Sequence, residues 1–179
     1  MNDYEILLNE ASNEGLIVKE KPLLANDGRI KGNKIAIRKD IPTTDAKADV
    51  LAEELGHHHT TVGNIMDQST AENRKQELHA RMWGYNRRIG LQGLIDAYEH
   101  RCSNKYEIAE FLHVSEHELD DCIKAYKEKY GVCIEHNGYI IYFFPNLHIK
   151  AGTYRMELSS ELVIMNLFNS KNRYRRASD

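Results

Sequence analysis

The run Leu51-Ala52-Glu53-Glu54-Leu55-Gly56-His57-His58-His59 constrains this chain more than any other part of it. Glu53 and His57 stand four residues apart, so on a helix both project from one face and can share a ligand. Glu54 lies one residue round, beside whatever those two hold. The spacing is that of the H-E-x-x-H metal motif with its first His replaced by Glu. In that motif the outer residues bind the metal and the inner Glu takes a proton from water. A carboxylate can replace an imidazole in a metal shell, so Glu53 and His57 are candidate ligands and Glu54 the candidate general base. Gly56 costs a mid-helix position about 1 kcal/mol relative to Ala, which points to close packing rather than helix propensity.

The elements around this run suit such a site. Tyr4, Leu7, Leu8 and Ala11 fall at helical spacing, and Gly15 marks a stop before the short strand Leu16-Ile17-Val18. Arg29-Ile30-Lys31, Gly32-Asn33 and Lys34-Ile35-Ala36-Ile37-Arg38 read as a two-residue hairpin. Pro42-Thr43-Thr44-Asp45 punctuates the chain and offers a cap for the metal-motif helix. Helix, small antiparallel sheet and metal-motif helix is the order of a zincin catalytic core. In such cores the edge strand before the motif helix holds substrate backbone, which makes Ile35, Ala36 and Ile37 the candidate substrate contacts. His58, on the turn next to Glu54, is a fourth; His59 is expected to be partly exposed at the helix end.

A third ligand is needed, and one large class of zincins takes it from a Glu on a later helix. Residues 70 to 90 are helical in pattern, and Glu77 fits, with Ala80 one turn on keeping the helix close to its neighbour. His79 is a rival that the spacing turns to another face. Trp83 and Tyr85 are read as packing residues, and Arg81 and Arg88 as surface residues, so no oxyanion residue is assigned.

Beyond Ser103 the pattern changes. Lys105 to Val114 reads as a short helix, and Ser115 caps a second one carrying Leu119, Ile123 and Tyr126. Val132 to Phe143 forms a hairpin with Asn137-Gly138 at its tip. The sum is a winged-helix-like module. Its second helix carries Glu116, Glu118, Asp120 and Asp121 against Lys124, a charge that phosphates would repel, so specific DNA binding is not expected. Residues 151 to 179 form an extension, apolar up to Phe168 and then basic, expected to be mobile at its end.

Composition excludes other classes. A net charge of -3 gives no general attraction to nucleic acid or anionic membrane. No apolar run approaches a membrane span, and the acidic start Met1-Asn2-Asp3 is no secretory signal, so a cytoplasmic protein is expected. Cys102, Cys122 and Cys133 form no C-x-x-C pair and are expected to be reduced thiols.

Together the segments Val50 to His58, Thr60 to Ile65 and Lys75-Gln76-Glu77-x-x-Ala80-Arg81-x-Trp83 resemble the ImmA/IrrE family of metallopeptidases, in its phage and integrative-element form. Glu107-Ile108-Ala109-Glu110-Phe111-Leu112-x-Val114-Ser115-Glu116 and Lys129-Tyr130-Gly131 extend the resemblance, which runs from the first helix to about Phe144. It implies a site-specific endopeptidase that cleaves a helix-turn-helix repressor of the XRE type and so derepresses a phage or mobile element. By position it makes His57 and Glu77 metal ligands and Glu54 the base. The chain departs at Glu53, where the commonest pattern has His. Two carboxylates and one imidazole are a harder set, so Mn²⁺ or Fe²⁺ joins Zn²⁺ as a candidate.

The expected fold is therefore α+β: a zincin-like core over residues 1–95, a winged-helix-like module over 96–150 and an extension over 151–179. Two alternatives stand beside the peptidase. One is a catalytically inactive regulator that binds its repressor stoichiometrically, which the Glu53 departure favours. The other, less favoured, is a DNA-binding transcription factor.

Overall fold

The computed structural model describes residues 1–60 and 71–152, without the side chains of 71–73. The expectations for Thr61 to Ile65 and for residues 153–179 lie outside the described residues. The fold is α+β, in two compact units divided between Cys122 and Ile123.

In the first unit, α1 (Asp3–Asn13) opens on a reciprocal cap. The Glu5 N–H donates to Asn2 Oδ1 at 2.9 Å and the Asn2 N–H to Glu5 Oε2 at 3.0 Å, satisfying two helix-end donors. The helix buries Tyr4, Leu7 and Ala11, the face its periodicity marks. Gly15, at φ 75°, lets the chain reverse into β1 (Ile17–Lys21). β2 (Gly28–Lys31) and β3 (Lys34–Arg38) form the expected hairpin around Gly32-Asn33.

The sheet is mixed, where an antiparallel one was expected. Its order is β1-β3-β2, and β1 runs parallel to β3. The cause is burial: Ile35 and Ile37 are among the most enclosed side chains of the protein, and the strand that carries them takes the middle of the sheet. They pack with Leu7 and Ala11 of α1 and with Leu51 and Leu55 of α2 (Thr44–Thr60). Each fully buried Leu contributes about 1.5–3 kcal/mol.

α2 starts where the Ala46 N–H donates to Thr43 Oγ1 at 3.1 Å. It is enclosed on several sides, burying Asp49 and Glu54 as well as its apolar residues. α3 (Ala71–Arg88) packs along it through small residues. A methyl on Gly56 would come within 2.9 Å of the Ala80 carbonyl carbon, and one on Gly84 within 3.4 Å of Ala52 backbone. Gly56 is thus a contact glycine, as its helix cost implies. Gly56→Ala should lower stability by about 1–3 kcal/mol despite the better helix propensity, read as a fall in the urea midpoint.

α4 (Gly90–Glu99) and α5 (Lys105–Phe111) follow, then α6 (Glu116–Tyr130), capped by the Ser115 hydroxyl as expected. The unit boundary falls inside α6 rather than near residue 95, and a buried network explains why. The Arg88 guanidinium, enclosed rather than on the surface, pairs with Asp49 at 3.2 Å and with Asp3, and donates to the His113 carbonyl. The Ser115 N–H donates to the other oxygen of Asp49 at 2.9 Å. The α5–α6 turn is thereby fastened to α2 and α3.

The second unit, from Ile123, continues α6 into β4 (Cys133–His136), β5 (Tyr139–Tyr142) and β6 (His148–Ala151). The tip Asn137-Gly138 has φ 48° and 78°, the backbone a tight two-residue hairpin turn needs. β6, which the sequence pattern did not reveal, pairs antiparallel with β5. Tyr126, Ile141, Phe143 and Ile149 are buried here, with the Tyr126 and Phe143 rings edge to face at 5.9 Å. No helix among the described residues is long and apolar enough to cross a membrane.

Candidate metal centre

On α2, Glu53 and His57 face α3, and there Glu77 meets them. His57 Nε2 lies 3.6 Å from Glu77 Oε2. One donor atom from each of Glu53, His57 and Glu77 falls within 4.8 Å of the other two. One imidazole and two carboxylates that close are a donor set fit for one divalent cation. The close contact of Gly56 with Ala80 sets the separation of the helices one residue before His57. His79, the rival ligand, is exposed.

The three residues line a cavity of about 570 Å³. Glu54, on its wall, is only 8% exposed. Burial pushes its carboxyl up to about 8, Glu53 and Glu77 push the same way, and a hydrogen bond from the Ile30 N–H opposes them. A methyl on Gly28 would stand 2.5 Å from Glu54 Oε1 and 2.7 Å from Val50 Cγ1. Glycine at the start of β2 thus lets that strand lie directly over the base.

This corrects the substrate contacts expected on β3. Ile35 and Ile37 point into the core, and Ala36 is paired on both sides, with Lys19 and Arg29. Among the described residues, the outer strand beside the site is β2, whose Gly28 lines the cavity. His58 is also placed elsewhere: it lies outside the cavity lining, 3.7 Å from Glu14 Oε2 of the loop after α1. His59 approaches the same carboxylate at 3.4 Å and stacks on the Trp83 ring at 4.6 Å between centroids.

Several lining residues were missed from the sequence. Arg81 spans the two candidate carboxylate ligands, its Nε 3.1 Å from Glu77 Oε1 and 3.3 Å from Glu53 Oε1. The spacing of Glu77, Arg81 and Tyr85 at four-residue steps places them on one stripe of α3, a signal that was present in the sequence. Tyr85 is buried in the same wall, its hydroxyl pKa held well above the ordinary value by burial and by Glu118. His117, Glu118 and Asp121 of α6 close another side. Burial pushes the Glu118 carboxyl up to about 8, with Asp49 and Glu53 adding to it. Nothing local in the sequence ties α6 to α2.

Compared with known protein families, curated proteins and solved structures, the chain matches none.

Proposed function

We propose that this chain is a metal-dependent endopeptidase of the ImmA/IrrE type, with a zincin-like core, cleaving an XRE-type repressor of a phage or mobile element. The observation that carries the reading is the convergence of Glu53, His57 and Glu77 with the buried Glu54 beside them. The order α1, sheet, α2, α3 agrees with a zincin-like core. The order α5, α6, β4, β5, β6 agrees with a winged-helix-like module.

Glu53, His57 and Glu77 would hold the ion, Zn²⁺ first and Mn²⁺ or Fe²⁺ as alternatives. When bound, the ion supplies Lewis acidity, which makes water a nucleophile near neutral pH and polarises a carbonyl. Glu54 does the proton work. A carboxylate oxygen of Glu54 accepts a proton from the attacking water and returns it to the leaving amine nitrogen. The Ile30 N–H steadies that carboxylate, and its neighbours exclude bulk water from it. The outer edge of β2 can pair with an extended segment of substrate backbone.

The test is to incubate the protein, supplied with Zn²⁺ or Mn²⁺, with XRE-type repressors and read the products by mass spectrometry. Cleavage at one site is expected, and none with chelator present. A specific observation favours a second reading. Arg81 already sets a positive charge between Glu53 and Glu77 and offsets part of their repulsion without metal. The protein would then bind its repressor stoichiometrically, and the same assay would return a complex with the repressor intact.

A further inference from the structure

The proposed hydrolysis has an ion site and a base, but no donor for the oxygen of the scissile carbonyl. As the attacking water bonds to the carbonyl carbon, the C=O π pair moves onto that oxygen. In a cavity walled by acids, such a charge is costly unless a fixed cation or an aimed hydrogen-bond donor meets it. Among the described lining residues, Arg81 is the only Arg or Lys.

Arg81 is held in a way that leaves its donors unspent. A guanidinium that closes an ion pair sets two N–H groups side by side on one carboxylate. Here Glu53 Oε1 and Glu77 Oε1 both face the single Nε–H, at 3.3 Å and 3.1 Å. Two carboxylates, one from α2 and one from the preceding turn of α3, thus grip the guanidinium by its base. Its Nη groups carry four further N–H donors, and among the described residues none of these makes a hydrogen bond. The side chain is 47% exposed, so a molecule in the cavity can reach them. Burial works against the charge of Arg81, but Glu53 and Glu77 outweigh it and keep the guanidinium protonated. Glu77 divides its oxygens, Oε1 toward Arg81 and Oε2 toward His57 at 3.6 Å, so the guanidinium stands one carboxylate away from the proposed ion. The departure at Glu53 fits the same arrangement. A carboxylate that ligates an ion through one oxygen keeps a second to accept from Arg81, whereas a ligating imidazole has only an N–H left.

Building on the peptidase reading, we propose that Arg81 is a catalytic residue whose Nη–H groups donate to the scissile carbonyl oxygen as that oxygen takes up negative charge. When the carbonyl re-forms, the electron pair returns to the C=O bond, the C–N bond breaks and the amine leaves with the proton from Glu54. Arg81 gains and loses no proton in this sequence. Because Glu53 and Glu77 hold its base, its donors are in place before the charge develops.

The test loads the full chain with saturating Co²⁺, whose visible spectrum reports anions arriving at the ion, and titrates two probes. Methylphosphonate presents tetrahedral oxyanions to the ion and to Arg81; azide, a linear anion, engages the ion alone. Arg81→Gln should weaken methylphosphonate by at least about ten-fold, a difference of about 1.4 kcal/mol, and azide by less than about three-fold. Arg81→Lys, which keeps the charge and loses the fork, should fall between wild type and Arg81→Gln. Arg87→Gln removes the same charge from α3 where it pairs with Glu10 at 2.8 Å, and should leave both probes unchanged. A smaller loss of methylphosphonate in Arg81→Gln, or an equal loss of azide, overturns the proposal. On a repressor that the wild type cleaves, Arg81→Gln should lower kcat by about 10²-fold or more with KM little changed. Cleavage that keeps its kcat in Arg81→Gln removes this inference and leaves the peptidase. Wild-type protein that takes up neither Co²⁺ nor Zn²⁺ removes both.

Discussion

Glu54→Gln should abolish hydrolysis and stabilise the metal-free fold at the same time. The first effect follows from its proposed role as the base. Glutamine keeps the shape and still accepts the Ile30 N–H, but it cannot take a proton from water, and losing a positioned base costs about 10²- to 10⁴-fold in rate. The second follows from its environment. The folded-state pKa of about 8 lies above the ordinary 4.5 because burial, Glu53 and Glu77 all disfavour the carboxylate. Below about pH 4.5 both folded and unfolded chains hold the proton, and Glu54 takes nothing from stability. As pH rises toward 8 the unfolded chain gives up its proton while the folded one keeps it, so stability falls through that window. Glu118, raised to about 8 by burial, has the same sign. Replacing Glu54 by Gln should therefore add about 2–4 kcal/mol at pH 8 and almost nothing at pH 4, read from urea unfolding in the presence of chelator. A residue that weakens the fold where it sits is one kept for chemistry. No gain at pH 8 would mean that Glu54 is not held in this environment.

Arg88→Met should be the most damaging single substitution outside the site. The guanidinium is buried between Asp49 and Asp3 and also serves the His113 carbonyl. Methionine fills similar volume but leaves Asp49 as a buried acid facing no cation, a situation that costs about 3–5 kcal/mol. Asp49 is already pushed up by burial, with the Ser115 N–H and Arg88 holding it back. Without Arg88 it should be neutral over a wider pH range, so the loss should shrink in acid, where protonation removes the stranded charge. The double variant Asp49→Asn/Arg88→Met should lose less than the sum of the two single variants. Additive losses would show that the pair is not coupled. Because Asp49 also holds Ser115, the Arg88 variant should further loosen the turn that carries Glu118.

The features legible in the sequence are local. Asn2 with Glu5, Gly32-Asn33, Asn137-Gly138 and Ser115 mark caps and turns whose chemistry acts over two or three residues. Glu53, Glu54 and His57 share one turn of helix, and Gly56 announced a close helix contact. Glu77 stands on the next helix, where a third ligand is expected. What escaped the sequence depends on distant segments. β3 shows the same alternation whether central or at an edge, and only its pairing with both β1 and β2 fixes its place. Gly28 looks like a turn glycine until Glu54 is seen beneath it. Arg88 resembles any helix-end cation until Asp3, Asp49 and the His113 carbonyl surround it. In the sequence the acids of α6 signal only a charge that repels DNA. Their lining of the cavity follows from how the α5–α6 turn is fastened to α2, which no local pattern encodes.

The central claim is that Glu53, His57 and Glu77 hold one divalent cation. Metal content by elemental mass spectrometry, on protein purified without chelator and then offered zinc, manganese or iron, tests it most directly. Near one equivalent of one metal is predicted for the wild type. It should be lost in His57→Ala and in Glu77→Ala, with the circular dichroism spectra unchanged. A wild-type protein that stays empty with all three metals, or variants that keep the full equivalent, would contradict the claim.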